Sequence, residues 1–416
     1  MRCLTRGMRR TAVTALCAAI AACGSVGADG RATVVRDSAG VAIVESRAPV
    51  WSRGAGWEID SSALIEIGVE AGDAPYELDR VFHAIRRPDG TILVGNSGSG
   101  EIRVFDVAGR FLRAIGRRGN GPGEFGEFST VRVLRAPDGS LVAYDGGNLR
   151  VHHFDSSGTY QRTVRIESTA DGLRAFFQDL FGDGSWLMLA LQPELRNEPG
   201  TYLRSAQQFV RFSAEGKPLH VLRRVEGRTR FVNKVGEIVH FPFLPFTAEP
   251  LAGAGREHVY ISAGGAPALE ARDLNGTLVR VSRLGLDLAR TAEVWDRYKE
   301  SSLASMDSTQ RPRYEHFYGL NHPLPEHVPA FQTLMVDAES HAWLERYRLP
   351  WETESRWEVI DAEGRWLGQV AAPARLRLLQ IGRDFVLGRH SDSLGVERVR
   401  VHALHRDRHT SARDGR

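Results

Sequence analysis

Along much of the chain, short apolar runs alternate with tight polar turns, a pattern that predicts strands rather than helices. Val81 to Ile85, Ile92 to Val94, Ile102 to Phe105 and Phe111 to Ile115 read as four strands, with Pro88-Asp89-Gly90 and Asp106 to Gly109 as turns. The unit recurs as Val131 to Arg135, Leu141 to Tyr144, Arg150 to Phe154 and Tyr160 to Ile166, with turns at Pro137-Asp138-Gly139 and Asp155 to Gly158. The turn residues have a physical reason. An aspartate side chain accepts the backbone N–H groups of a tight reversal, and glycine takes up the positive φ.

Weaker copies follow. A third unit has Trp186 to Leu191, Phe209 to Phe212 and the turn Ser213 to Gly216. A fourth has Val259 to Ser262, Leu269 to Arg272 and Asp273 to Gly276. The fifth runs from Phe331 through Trp343 and Trp357 to Ile360, with the turn Asp361 to Gly364. The sixth contains Leu376 to Ile381, Phe385 to Gly388 and Val396 to Leu404, and lacks a fourth strand. Leu64 to Gly68, followed by Gly72, Pro75 and Glu77, repeats the spacing of Ile115-Gly116, Gly121-Pro122-Gly123-Glu124 and Val131. Ala63 to Ile67 is therefore expected to supply the missing strand, closing a ring so that no long sheet edge stays open.

The expected fold is all-β: a six-bladed β-propeller of four-stranded antiparallel blades over residues 57–404. A short helical insertion before the fifth blade, at about 284–330, interrupts the repeat. Leu286 to Ser305 reads as its helix, with Leu288, Val294, Tyr298 and Leu303 on one face.

The first residues read as a targeting segment: Arg2, Arg6, Arg9 and Arg10 precede an apolar stretch from Thr11 to Ala22 that is too short to span a bilayer. A start at Met8 would leave the same signal. Ile20-Ala21-Ala22-Cys23 resembles a bacterial lipobox, which implies a signal peptide over 1–22 and a lipid on the Cys23 thiol. Cleavage before Cys23 would remove Cys3 and Cys17 and leave no internal disulfide. Residues 23–56 are then expected as a linker, and 405–416 as a disordered basic tail. The resemblance implies an exported protein in the cell envelope, lipid-anchored to a bacterial membrane. Gly24 after the cysteine points to the outer membrane in a two-membrane cell.

Charge reads differently once that leader is set aside. Of the 54 lysines and arginines, four lie in the leader, leaving 50 against 51 acidic residues. Only Lys217, Lys234 and Lys299 are lysines, and no basic footprint for nucleic acid is visible.

Gly119-Asn120-Gly121-Pro122-Gly123-Glu124-Phe125 resembles the NHL-repeat signature. The match continues through Asp138-Gly139, Leu141-Val142, Asp145, Asn148, Arg150, Val151, Phe154-Asp155 and Gly158. It is strong only in the first two units. Together with the lipobox and the helical insertion, it resembles a bacterial family of six-bladed β-propeller lipoproteins, which brings a fold but no settled activity.

Several chemical patterns fall away in context. Gly121 to Gly126 fits a dinucleotide fingerprint, yet Pro122 and the following strand place it in a loop rather than at a helix start. Neither Gly-x-Ser-x-Gly nor His-Glu-x-x-His occurs. His316, His322 and His327 form the best metal candidate, but among Pro323, Pro325 and Pro329 they have no helical i, i+4 spacing; solvated loop histidines are the alternative. No metal or cofactor is assigned. His83 lies on the innermost strand of the first blade, either in the channel or in the core. Trp343, Trp351 and Trp357 form either a ligand platform or blade packing.

Connection parity points to one face. In a four-stranded meander the turns between first and second and between third and fourth strands lie at one end, and all other connections lie at the other. The long segments Gln192 to Gln208, Val225 to Pro245, Leu284 to Ala330 and Glu345 to Arg356 all fall at that other end. Long loops clustered around a channel mouth suit recognition. Their aromatics, Phe231, Phe241, Phe243, Trp295, Tyr298, Tyr314 and Phe317 among them, are interleaved with arginines, the usual anchors of binding surfaces. Arg196, Arg230, Lys234, His316, Tyr318 and His322 are the candidate ligand-binding residues. The expected function is a tethered binding or scaffolding module for a protein, peptide, glycan or small ligand. The alternative is a propeller hydrolase or lyase with a metal at the channel mouth.

Overall fold

The computed structural model describes residues 33–52, 54–192 and 198–406. The leader, Cys23, Arg196 and the tail from 407 onward lie outside the described residues.

Six sheets stand around an axis as blades of a propeller. From the axis outward, blade one is Val81–Arg86, Ile92–Asn96, Glu101–Phe105 and Phe111–Ile115. Blade two is Val131–Arg135, Leu141–Asp145, Arg150–Phe154 and Tyr160–Arg165. Blade three is Arg174–Leu180, Trp186–Leu191, Ala206–Phe212 and Pro218–Glu226. Blade four contains Leu251–Ala254, His258–Ser262, Ala268–Asp273 and Leu278–Leu284; blade five, Phe331–Val336, Ala342–Arg346, Ser355–Ile360 and Trp366–Ala372. Blade six takes Leu376–Ile381, Phe385–Ser391 and Glu397–His405 from the end of the chain and Glu58–Ile67 from its start, the last as outermost strand.

The core is six walls rather than one centre. Ile85, Leu93 and Val104 of blade one meet Val131, Leu141 and Phe154 of blade two, and a similar cluster fills each of the other five blade interfaces. A strand packed on both faces loses its alternation, which is why Ile92–Asn96 and Leu141–Asp145 are buried at every position.

The outer turns follow the aspartate-glycine pattern. Asp106 Oδ1 accepts the amides of Ala108 and Arg110, both at 2.9 Å, and Asp155 Oδ1 accepts those of Ser157 and Thr159 at 2.9 and 3.0 Å. These turns also join blades. Gly216 of blade three has φ +77°, its carbonyl accepts the Glu167 amide at 3.0 Å, and a Cβ there would lie 2.4 Å from the Arg165 carbonyl oxygen of blade two.

The expected linker is in part structured. Thr33–Ser38 and Val41–Ser46 form a hairpin, and the second strand pairs in parallel with Leu278–Leu284, so blade four has six strands. Glu45 fastens it by pairing with Arg36 and with Arg283, at 3.2 and 2.7 Å. The chain then crosses blade five, where the Val50 and Trp51 amides donate to the carbonyls of Trp366 and Leu367. From there it enters blade six as Glu58–Ile67. Residues 33–67 thus belt three consecutive blades. The tail also begins later than expected: His405 ends a strand, and Arg406 donates to Asp337 at 2.8 Å and covers the Trp57 ring.

Two helices lie between blades four and five, α1 (Thr291–Ala304) and α2 (Arg311–Gly319). The expected helix starts late because residues 289–291 are taken up in pairing with 326–328: Val328 N donates to Ala289 O and Thr291 N to Glu326 O. The unexpected α2 is started by Asp307, whose carboxylate accepts the amides of Thr309 and Gln310, and by Pro312 in its first turn. Among the described residues no helix is long and apolar enough to cross a membrane.

Candidate functional site: the long-loop cap

The residues that resemble the NHL signature hold the loop between blades one and two. Asp145 is fully buried and accepts from Arg150 Nε at 2.8 Å and Asn148 Nδ2 at 2.9 Å. The rest of the Arg150 guanidinium reaches the carbonyls of Asn120 and Glu124, both at 2.8 Å. Within the loop, Glu124 accepts the Gly121 amide at 2.8 Å, and Phe125 is fully buried. No helix follows the glycines. This latch orders a blade junction and leaves no helix N-terminus for a phosphate.

The long connections meet on one face and build a cap. Tyr202–Leu203, in the connection within blade three, pairs with Arg230–Phe231 in the connection to blade four. Phe231, Phe317 and Tyr318 form an aromatic cluster with Trp295, Tyr298 and Tyr314. A second cluster joins Phe246, Val328 and Leu349, bringing in Tyr347 and Trp351 from blade five. Trp343 and Trp357, by contrast, are fully buried between blades five and six.

The proposed ligand residues divide within this cap. Tyr318 and His322 point into its packing. The Tyr202 hydroxyl donates to His322 Nδ1 at 2.9 Å, while His322 Nε2 donates to Phe317 O at 2.8 Å. Both imidazole nitrogens are thereby engaged, and burial pushes the ring pKa down, favouring the neutral form. Burial raises the Tyr318 hydroxyl well above its usual range. Arg230 stacks on Phe243 at 4.4 Å, beside Arg228 on the same ring at 4.2 Å. Lys234, on the small hairpin Asn233–Val235 and Ile238–His240, is exposed, as is His316 on α2. Asn233 joins these elements, donating from Nδ2 to Arg313 O at 3.3 Å.

The irregular segment Pro323-Leu324-Pro325 runs between two clefts, with Leu324 and Pro325 lining both. One, of about 580 Å³, lies among Tyr202, Arg204, Thr229, Phe246, Pro323 and His327. The other, of about 440 Å³, lies among Arg290, Trp295, Asn321, His322 and Glu326. Tyr202, Thr229 and Phe246 line the first cleft, and sequence reasoning did not single them out as ligand residues. The signal available was the proline run opposite Arg204 and His327. Among the described residues, no group of three or more His, Cys, Asp or Glu side chains is arranged to hold a metal ion.

His83 does face the channel. Its Nδ1 donates to the Val133 carbonyl of blade two at 2.7 Å, and burial, with Arg132 beside it, pushes its pKa down to about 3.

With this geometry in place, the fold defines a six-bladed β-propeller with one elaborated face. Residues 79–177, which span blades one and two and enter blade three, match a family described as a 6-bladed beta-propeller, DUF5128. No curated protein matches the sequence. Among solved structures, the chain resembles a presumed exported protein of Bacteroides fragilis at 12% identity, over 85% of this chain and 96% of that one, with a TM-score of 0.44. A DUF4221 member from Bacteroides vulgatus matches at 12% identity, over 85% and 99%, with a TM-score of 0.43. A gluconolactonase from Xanthomonas campestris matches at 10%, over 83% and 99%, with a TM-score of 0.41.

Proposed function

We propose that this chain is an exported propeller, tethered through a lipid on Cys23, that binds a small molecule or a short segment of peptide or glycan on its long-loop face. The observation that carries the reading is the convergence of connections from blades three, four and five into one cap enclosing the 580 Å³ cleft. That volume is typical of a ligand pocket, and a cleft lined by aromatic and proline side chains with a few polar groups suits an extended polymer segment. Arg204 and His327 supply the polar contacts inside it, and Arg230, Lys234 and His316 stand on the surrounding surface. The hydrolase or lyase alternative needs a metal-donor set at the channel mouth, and the described residues offer none.

Two experiments test the two halves. Peptide and glycan arrays probed with protein lacking residues 1–23 should yield a ligand whose affinity falls at least tenfold in Arg204→Glu and His327→Ala, and is unchanged in Arg110→Ala and Glu215→Ala on the opposite face. Loss confined to the opposite face would refute the cap reading. For the tether, metabolic labelling with a fatty acid should mark the wild type and leave Cys23→Ser unlabelled; label on the variant would refute it.

A further inference from the structure

The innermost strands place an unusual set of side chains at one level of the channel. Counting ladder pairs from the turn between the first and second strands, the fourth pair is His83 with Gly95 in blade one and Arg132 with Tyr144 in blade two. In blade six it is Arg377 with Arg389, and in blade five Thr333 with Glu345. Three consecutive blades, six, one and two, therefore present Arg377, His83 and Arg132 in one layer. The first strand of each blade begins on the long-loop side, so this layer lies in the half of the channel beneath the cap.

The two arginines make few hydrogen bonds to the protein. Arg132 donates to the backbone carbonyl of Gln178, and that is its one polar contact among the described residues. The Arg377 guanidinium makes no hydrogen bond or ion pair among them. Arg377 is exposed and Arg132 half-buried, so both reach the solvent of the channel. Arg389 Nη1 donates to Glu397 at 2.9 Å and to Val81 O at 3.1 Å.

Two acidic groups also face the layer, Glu345 near Arg377 and Asp179 near Arg132. The Glu345 oxygens each accept a hydroxyl, from Thr333 and Ser355, both at 2.7 Å. Asp179 accepts the amides of Leu180 and Ala254, and burial raises its pKa, favouring the uncharged acid. Burial lowers the pKa of His83, Arg132 and Arg377; Arg132 adds to this at His83 and Arg389 at Arg377, whereas Asp179 favours the charged Arg132 and Glu345 the charged Arg377. Arg132 and Arg377 repel each other across the channel. Neutral His83, with its Nδ1 proton committed to Val133 O, turns Nε2 to the channel as an acceptor.

We infer that the channel is an oxyanion site in which Arg377 and Arg132 grip a carboxylate or phosphate group from two sides and His83 Nε2 accepts a proton from a hydroxyl of the same ligand. An oxyanion between them would exchange water on Arg377 and Arg132 for two charge-assisted contacts and offset their mutual repulsion. The guanidinium fork suits either group, and the ligand that best fits all three side chains carries an acid and a neighbouring hydroxyl. The site is separate from the cap cleft.

The test uses inorganic phosphate and acetate as probes, with chloride as control at equal ionic strength. Phosphate, acetate or both should raise the melting temperature of the wild type above its value in chloride. R132M/R377M should show no oxyanion response in its melting temperature. Calorimetric titration with the responding anion should show at least tenfold weaker binding in each single methionine variant. Arg204→Glu and His327→Ala should keep the wild-type response, which separates this site from the cap cleft. An equal rise in the double variant, or no rise beyond chloride in the wild type, overturns the proposal.

Discussion

On the short-turn face, reversals such as those at Asp106 and Asp155 are held by a side chain from within the turn itself, and glycines such as Gly216 close the turn against the next blade. On the opposite face, order comes from aromatic side chains that arrive from several connections far apart in sequence. The first face is a series of local solutions repeated around the ring. The second is a small core of its own, laid over the channel mouth. The contrast explains how one scaffold keeps its geometry while one side is free to vary in length and content.

Substitutions can separate the two. The largest effect is expected from Gly216→Val, which combines an unfavourable positive φ with a collision against Arg165 O. About 3–5 kcal/mol should be lost from the stability of the whole ring in denaturant titration. Phe317→Ala, deep in the cap, should cost about 3 kcal/mol locally. Hydrogen exchange should rise across 285–330 with the blades left protected. Equal deprotection of the blades would erase the distinction between ring and cap.

The aspartate turns give a smaller, pH-dependent effect. In Asp106 the Arg110 amide, and in Asp155 the Ser157 hydroxyl and Thr159 amide, hold the carboxyl below the usual carboxylate range. A folded pKa below the unfolded one contributes stability that is present above the unfolded value and lost as pH falls through the folded value. Asp106→Asn with Asp155→Asn should therefore lower the neutral melting temperature slightly and flatten the acid side of the melting curve between about pH 5 and pH 2. An acid limb identical to that of the wild type would show that these turns do not report on pH. The smallest stability change belongs to Arg230→Ala, within about 0.5 kcal/mol because the side chain stacks on a rim ring; its effect should appear in ligand affinity instead.

The same contrast governs what could be read from the sequence. Turn chemistry is local, so blades one and two and the closing strand near Ile67 were legible from residues a few positions apart. The hairpin at 33–46 carried a signal as well: Asp37-Ser38-Ala39-Gly40 is a reversal in which Gly40 N donates to Asp37 at 3.1 Å. What could not be read was its partner, the outer strand of blade four. Loop parity correctly gathered the long connections on one face, but burial of Tyr318 and His322 depends on aromatics from other loops, which no local pattern reveals. The channel layer was hidden for another reason. Bulges beside His83, near Asp179 and near Leu379 shift the ladder by one residue, so equivalent positions no longer align by simple counting.

The belt formed by residues 33–67 has a consequence for the order in which the chain can fold. Its first strands leave the ribosome before any partner exists: Val41–Ser46 waits for Leu278–Leu284, and Glu58–Ile67 waits for Glu397–His405. Contacts this distant in sequence form slowly, since the intervening chain must be brought together before they stabilise anything. Blades one and two, with neighbouring strands close in the chain, can assemble early, while the ring stays open until synthesis is complete. The ring is therefore sealed last, when Glu397–His405 meets Glu58–Ile67.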